Sequence, residues 1–222
     1  MEGPLVIALS KGRLLETSIA FFKRMGISPA GFSAKSRRLT FEDKKKGIKI
    51  LLVRATDVPT YVEYGAADLG IAGKDLLLEQ MRDIYEPLDL GYGQCKIVLA
   101  QPHGNDSKKS RRHDSKRRVA TKYANITERY FSEKGIPIEI IKLYGSIELA
   151  PMVGLADQIV DLSSSGETLR LHHLSIVEEI AECSARLIVN RASLKLKHPR
   201  LQTLIGSMKK NIKKLPATAK RA

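Results

Sequence analysis

Residues 151–166 read "PMVGLADQIVDLSSSG", and their grammar decides the fold. A helix-forming run stops at Gly154, an Ala-Asp pair follows, and an apolar run of strand length ends in three serines. Gly166 then opens "GETLRLHHL" (166–174), which has the spacing of a helix. Residues 62–75, "VEYGAADLGIAGKD", repeat this order: a helix ending at glycine, Ala-Asp, a strand, and Gly73 leading into "KDLLLEQM". The match is too loose for a sequence repeat, yet it predicts two comparable lobes.

Strand and helix alternate outward from these two stretches. Strands are expected at 4–10, 48–54, 68–73, 94–101, 118–123, 136–144 and 157–162, and helices at 14–26, 58–65, 125–135 and 146–156. Gly26 suits a helix C-terminus and Pro59 a first turn. "SIVEEIAEC" followed by "ARLIVNR" reads equally as two strands or as a helix and a strand. From residue 192 the pattern is a helix with a frayed end. This alternation predicts an α/β protein with two lobes of mixed, largely parallel sheet flanked by helices. Ligands of such sheets lie beyond the carboxyl ends of the strands, here in the cleft between lobes.

The chain has 222 residues, 43% of them hydrophobic, which suits a folded protein with a substantial core. Its longest apolar runs, such as "IKILLV" (48–53), are strand-sized and too short to cross a bilayer. The N-terminal "MEGPLVIALSKGR" lacks a basic region before its apolar run, so a cytoplasmic protein is expected. Cys95 and Cys183 have no metal-ligand spacing. They permit one disulfide, but reduced, partly buried thiols are the expectation in that setting. The formal net charge of +14 is confined to two segments. "DSKKSRRHDSKRR" (106–118) and the stretch from 194 to 222, which has no Asp or Glu, carry the whole excess. A nucleic-acid binder spreads basic residues over folded elements, so nucleic acid is not an expected partner. Solvated basic segments are the plainer reading.

Chemistry concentrates at strand ends. "DLSSSGETLR" (161–170) takes a strand into a helix, where unpaired N–H groups and the helix dipole favour an anion. Hydroxyls of Ser163, Ser164, Ser165 and Thr168 would add donors, and Asp161 could accept hydrogen bonds from a sugar. The same letters also fit a helix-capping arrangement, and the motif alone leaves both open. "LSKGR" (9–13) places Lys11 and Arg13 around Gly12, suited to a polyphosphate or to a solvated loop. Arg54 leaves the strand at 48–54, and "SRR" (36–38) offers Arg37 or a plain surface cation. His103, His113, His172, His173 and His198 form no ligand set, and no Ser-His-Asp order is present.

Taken in order, these stretches resemble the short form of the ATP phosphoribosyltransferase family, which catalyses the first step of histidine biosynthesis. The carriers are "IALSKGRL" (7–14), "SRRL" (36–39), "VRATDVPTYVEYGAADLGIAGKD" (53–75), "RVATKYANITERYF" (118–131) and "GSIELAPMVGLADQIVDLSSSGETLR" (145–170). The resemblance implies a fold like periplasmic binding proteins. One lobe would comprise 1–92 plus 176–205 and the other 93–175. The insert at 104–117, expected to be disordered, and the tail at 206–222 have no place in the pattern.

The implied reaction is a glycosyl transfer, from phosphoribosyl pyrophosphate to N1 of ATP, with inversion and with Mg²⁺ present. Residues Asp161, Ser163, Ser164, Ser165, Gly166, Glu167, Thr168 and Leu169 would hold the phosphoribosyl group. Lys11, Arg37 and Arg54 would face diphosphate or the ATP phosphates as catalytic cations. Lys11, Gly12, Arg13, Asp68, Leu69 and Gly73 would form the ATP side. The metal would be held mainly by the substrate, with Glu148 and Asp161 as candidate ligands. A separate regulatory subunit resembling histidyl-tRNA synthetase and a hetero-oligomer are further implications. The alternative is a non-catalytic two-lobed module that binds small anions or nucleotides.

Overall fold

A computed structural model describes residues 3–104 and 116–212. Most of the basic insert (105–115) and the end of the tail (213–222) lie outside the described residues. The chain forms two compact units, Met1–Gln94 with Ser184–Ala222, and Cys95–Cys183.

The first unit runs β1 (Leu5–Ser10), α1 (Leu15–Arg24), β2 (Thr40–Asp43), β3 (Ile48–Val53), a 3-10 turn (Ala55–Asp57), α2 (Val58–Glu63), β4 (Leu69–Gly73), α3 (Lys74–Gln80) and β5 (Tyr85–Asp89). Its later part supplies β11 (Ala185–Val189), α7 (Arg191–Leu196) and α8 (His198–Ile212). Among the described residues its sheet has six strands in the order β2-β3-β1-β4-β11-β5. Strand β1 is parallel to β3 and β4, while β2, β11 and β5 pair antiparallel.

The second unit holds β6 (Cys95–Pro102), β7 (Arg117–Thr121), α4 (Ala124–Glu133), β8 (Ile138–Lys142), α5 (Leu149–Met152), β9 (Gln158–Ser163), α6 (Glu167–Leu171) and β10 (Leu174–Cys183). Its sheet reads β10-β6-β9-β7-β8, with β7 parallel to β8 and β9 and the remaining pairs antiparallel. The two sheets therefore share one plan. A strand between two parallel neighbours (β3-β1-β4 or β8-β7-β9) is extended on one side by two antiparallel strands. Both sheets are mixed, with the parallel pairing expected from the sequence confined to these three-strand groups.

The Ala-Asp echo has a physical basis. Asp68 donates its backbone N–H to the Val6 carbonyl, and its carboxylate accepts the Val6 N–H, both at 2.8 Å. Asp157 makes the same exchange with Arg118, at 2.9 Å in each direction. Each aspartate thus fastens the start of one strand to its parallel neighbour, β4 to β1 and β9 to β7. The preceding alanines, Ala67 and Ala156, are buried beneath.

Helix α1 shows how packing fixes the first unit. Leu15, Ile19, Phe21 and Phe22 are buried, and they join Leu5, Ile7, Leu9, Ile50, Leu69 and Ile71 of the sheet in one core. Each fully buried phenylalanine contributes roughly 2–3 kcal/mol. The other face of this sheet takes Val58 and Val62 of α2 against Ala8, Ala72 and Ile188. In the second unit Val98, Ala100, Ala120, Ile159, Leu169 and Leu174 form the core.

Four expectations change. Strands β2 and β5 carry charge or proline ("TFED", "YEPLD") and edge their sheet, so they lack the apolar signature of buried strands. The helix expected at 146–156 is a single turn, Leu149–Met152, because Ser146 has φ 49° and Gly154 φ 70°. "SIVEEIAEC" is a strand whose period is broken by irregularities at Ile176/Glu178 and Glu179/Ala181. It pairs with β6 as far as Cys183, so the chain returns to the first unit at Ser184 and not near 176. Among the described residues no helix is long and apolar enough to cross a membrane.

Candidate active site

In the first unit the chemistry gathers at the carboxyl ends of β1 and β3. Ser10 and Val53 are register partners, so Lys11 and Arg54 leave adjacent strands side by side, and the Lys11 N–H donates to the Val53 carbonyl at 2.9 Å. Both side chains are exposed, as is Arg37. Among the described residues none of the three has a carboxylate partner. Some other cations of the unit do: Lys74 pairs with Glu86, Arg82 with Glu63 and Arg191 with Asp83. A depression of about 430 Å³ opens beside Lys11, Gly12, Arg13, Ala34 and Ser36. Gly73 ends β4 at the same carboxyl edge.

Two expected ATP-side residues are elsewhere. Asp68 begins β4 at the opposite, amino edge and is buried. Besides the Val6 N–H, its carboxylate accepts the Ser193 hydroxyl at 2.7 Å and the Lys197 ammonium at 2.9 Å. Leu69 lies in the core at 1% exposure. Both hold the fold, so their assignment to ATP is withdrawn.

In the second unit the serine loop joins β9 to α6. Gly166 occupies the helix N-cap with φ 75°, a conformation costly for other residues, and no side chain caps the helix. The Glu167 N–H donates to the Ser165 hydroxyl at 3.3 Å, so a serine turn replaces the capping box that the sequence allowed. Ser164, Ser165, Glu167 and Thr168 are exposed. Leu169 points into the core, anchoring α6, so its side chain is not part of a binding surface.

Asp161 lies on β9, two residues ahead of Ser163. Its carboxylate is pushed above the ordinary range chiefly by burial, and Glu148 adds repulsion. Lys122, 3.5 Å away, and the Leu162 N–H, donating at 2.8 Å, only partly offset this. Glu148 itself stands 4.0 Å from His172. Lys122 was missed by motif reading. The signal was available, since it follows β7 as Lys11 follows β1 and Arg54 follows β3. Among the described residues no group of three His, Cys, Asp or Glu side chains is placed to hold a metal ion.

Comparison with known proteins identifies the family. The family model described as ATP phosphoribosyltransferase (HisG) matches residues 54–210. An ATP phosphoribosyltransferase of Geobacter metallireducens is 55% identical over 212 residues, covering 96% of this chain and all of that protein. Among solved structures, the ATP phosphoribosyl transferase (HisG:HisZ) complex from Thermotoga maritima superposes with a TM-score of 0.82 at 34% identity, covering 95% of this chain and all of that one. The alkanesulfonate-binding protein SsuA from Xanthomonas axonopodis pv. citri, at 17% identity, shares the fold alone, with a TM-score of 0.54 over 95% of this chain and 73% of its own. A family match over most of the chain, with a relative more than half identical along nearly its whole length, settles the assignment: the chain belongs to the ATP phosphoribosyltransferase family, whose reaction opens histidine biosynthesis.

Proposed function

We propose that the two strand edges divide the work of phosphoribosyl transfer. The serine loop takes the sugar end, with backbone N–H groups at the start of α6 and the hydroxyls of Ser163, Ser164, Ser165 and Thr168 donating to the 5-phosphate. Gly166 lets the backbone approach, and Asp161 accepts from ribose hydroxyls. Lys11, Arg37 and Arg54 oppose the charge of the diphosphate and of the ATP phosphates, with Gly12, Arg13 and Gly73 on the ATP side. The observation that carries this reading is placement: Lys11 and Arg54 leave register-paired strand ends side by side, and neither they nor Arg37 has a carboxylate partner among the described residues.

The chemistry needs neither a covalent intermediate nor a nucleophile–base pair. N1 of ATP attacks C1 of phosphoribosyl pyrophosphate, the bond to diphosphate breaks, and the configuration at C1 inverts. The transition state has oxocarbenium character, so the protein's contribution is positioning and neutralisation of charge on the departing diphosphate. A magnesium ion, when bound, would neutralise part of that charge. The residues fit a substrate-held ion, since among the described residues no three acidic, His or Cys side chains gather, and Asp161 and Glu148 repel each other in a way that a cation relieves. A cytoplasmic setting belongs to the same reading.

A regulatory partner belongs to the proposal too. The Thermotoga maritima relative was solved as a HisG:HisZ complex, which supports a second subunit for this chain, one resembling histidyl-tRNA synthetase. The test is incubation with ATP, phosphoribosyl pyrophosphate and Mg²⁺, with and without that partner. Phosphoribosyl-ATP should appear. Folded protein that makes none in either condition would sink the proposal, and with it the preference over a mere binding module.

A further inference from the structure

The second unit begins at Cys95 and ends at Cys183, and these two residues are register partners on the antiparallel strands β6 and β10. Directly opposed residues of an antiparallel pair have Cα atoms roughly 4.5–5.5 Å apart. That range falls inside the window of about 4.4–6.8 Å that a disulfide spans. Both side chains are buried, at 7% and 3% exposure, and no disulfide joins them in this structure.

Nothing in the transfer reaction uses either thiol. We propose that Cys95 and Cys183 form a reversible oxidative modification site, a dithiol that closes into an intramolecular disulfide. With a peroxide as two-electron oxidant, one sulfur becomes a sulfenic acid and releases one water. The second thiol then attacks that sulfur, the S–S bond forms, and a second water leaves. A diazene such as diamide can serve as the oxidant instead: one thiol adds across its N=N bond, the second thiol attacks that sulfur to form the S–S bond, and the hydrazine leaves carrying both hydrogens.

The position of the pair sets the consequence. The bond would close the entire second unit, with its serine loop, into a covalent ring, because the cysteines are its first and last residues. Constraining so long a loop restricts the unfolded chain strongly. Burial limits access to small oxidants and disfavours adducts with bulky thiols, while the register favours the internal bond over a bond between chains. Register, not thiol reactivity, is therefore what selects this product.

The test uses the full native chain, treated with hydrogen peroxide and separately with diamide, then acid-quenched and mapped by mass spectrometry under non-reducing conditions. The expected product is a monomeric Cys95–Cys183 disulfide, two hydrogens lighter, with Tm raised by roughly 5–10 °C. Dithiothreitol should reverse both changes. Cys183→Ala should lose the mass change and the Tm gain together, and because the wild-type mapping stands alone, a poorly folding variant does not blunt the test. Thiols that stay reduced in the native chain but oxidise once it is unfolded would overturn the proposal. Linked dimers, sulfinic acids or a Tm unchanged in the oxidised monomer would overturn it equally.

Discussion

The two units share a strand plan and differ at the carboxyl edge of their parallel strands. In the first, Lys11 and Arg54 stand exposed with no carboxylate partner among the described residues. In the second, a partly buried carboxylate stands beside a lysine and leads into a loop of hydroxyls. At the amino edges the units agree again, each with an aspartate fastening two strands. The parts that repeat build the fold, and on the proposed reading the parts that differ carry the chemistry. Substitutions should therefore separate into those that unfold the protein and those that silence it.

The largest effect is expected where the repeated latch is most embedded. Asp68→Ala strips hydrogen bonds from the Val6 N–H and the Ser193 hydroxyl and leaves the partly buried Lys197 ammonium without its partner. Breaking such a pair costs about 3–5 kcal/mol. Asp157→Ala removes the matching latch, but its ion pair with Arg118 is long at 3.7 Å and both side chains are about two-fifths exposed. It should cost about 1 kcal/mol. Urea unfolding of both variants checks the difference, and equal costs would mean that the latch alone, not its surroundings, sets the stability.

Next comes a residue on the differing edge. Arg54→Ala should leave Tm nearly unchanged, because the side chain is exposed and ion-paired with nothing described. Its barrier for phosphoribosyl transfer should rise by about 2–4 kcal/mol, the worth of one preorganised donor in a transition state. Initial rates at saturating ATP and phosphoribosyl pyrophosphate decide this. Full turnover from a folded Arg54→Ala protein would remove the cation edge from the mechanism.

Gly166→Ala asks less of the molecule. A Cβ there would meet only the Ser163 hydroxyl oxygen, at 3.9 Å, so space is not the obstacle. The φ of 75° is, at about 1–2 kcal/mol. The Michaelis constant for phosphoribosyl pyrophosphate should increase several-fold while that for ATP holds. A matched change in both would move the serine loop out of the sugar site.

The sequence makes these roles legible unevenly, for physical reasons. The strands at 48–53 and 95–102 announce themselves through predominantly apolar runs, and the serine loop through its row of hydroxyls at a strand end. Strand β10 does not, since two irregularities break its alternation and four of its residues are exposed in a row. Asp68 was misread because the echo that places it says where a strand starts, not which edge faces a ligand. Only the pairing with Val6 and Lys197 separates that structural carboxylate from Asp161. Lys122 is legible only once β7 is aligned with β1 and β3, and its place beside the partly buried Asp161 carboxylate gives it meaning.

Asp161→Asn should cost the fold nothing at neutral pH, and the direction of its effect is the most informative. Burial raises the Asp161 carboxyl above its ordinary range despite Lys122. The folded state therefore binds this proton more tightly than the unfolded chain, and stability contributed here falls as pH rises through the window between the two pKa values. Above that window the wild type carries the whole cost of a buried negative charge, and below it the carboxyl is neutral in both states. Asparagine keeps an oxygen to accept the Leu162 N–H and never carries the charge. At about pH 7 the variant should therefore melt above the wild type, and the gap should close on acidification toward about pH 4, where carboxyls protonate. Its turnover should fall at the same time, because the ribose loses its charged acceptor. Melting curves across that range, set beside initial rates, test both halves. An Asp161→Asn protein that melts lower at neutral pH would place Asp161 with Asp68 among the residues that hold the fold. The second unit's edge would then be structural, and the contrast between the two edges would rest on the cations alone.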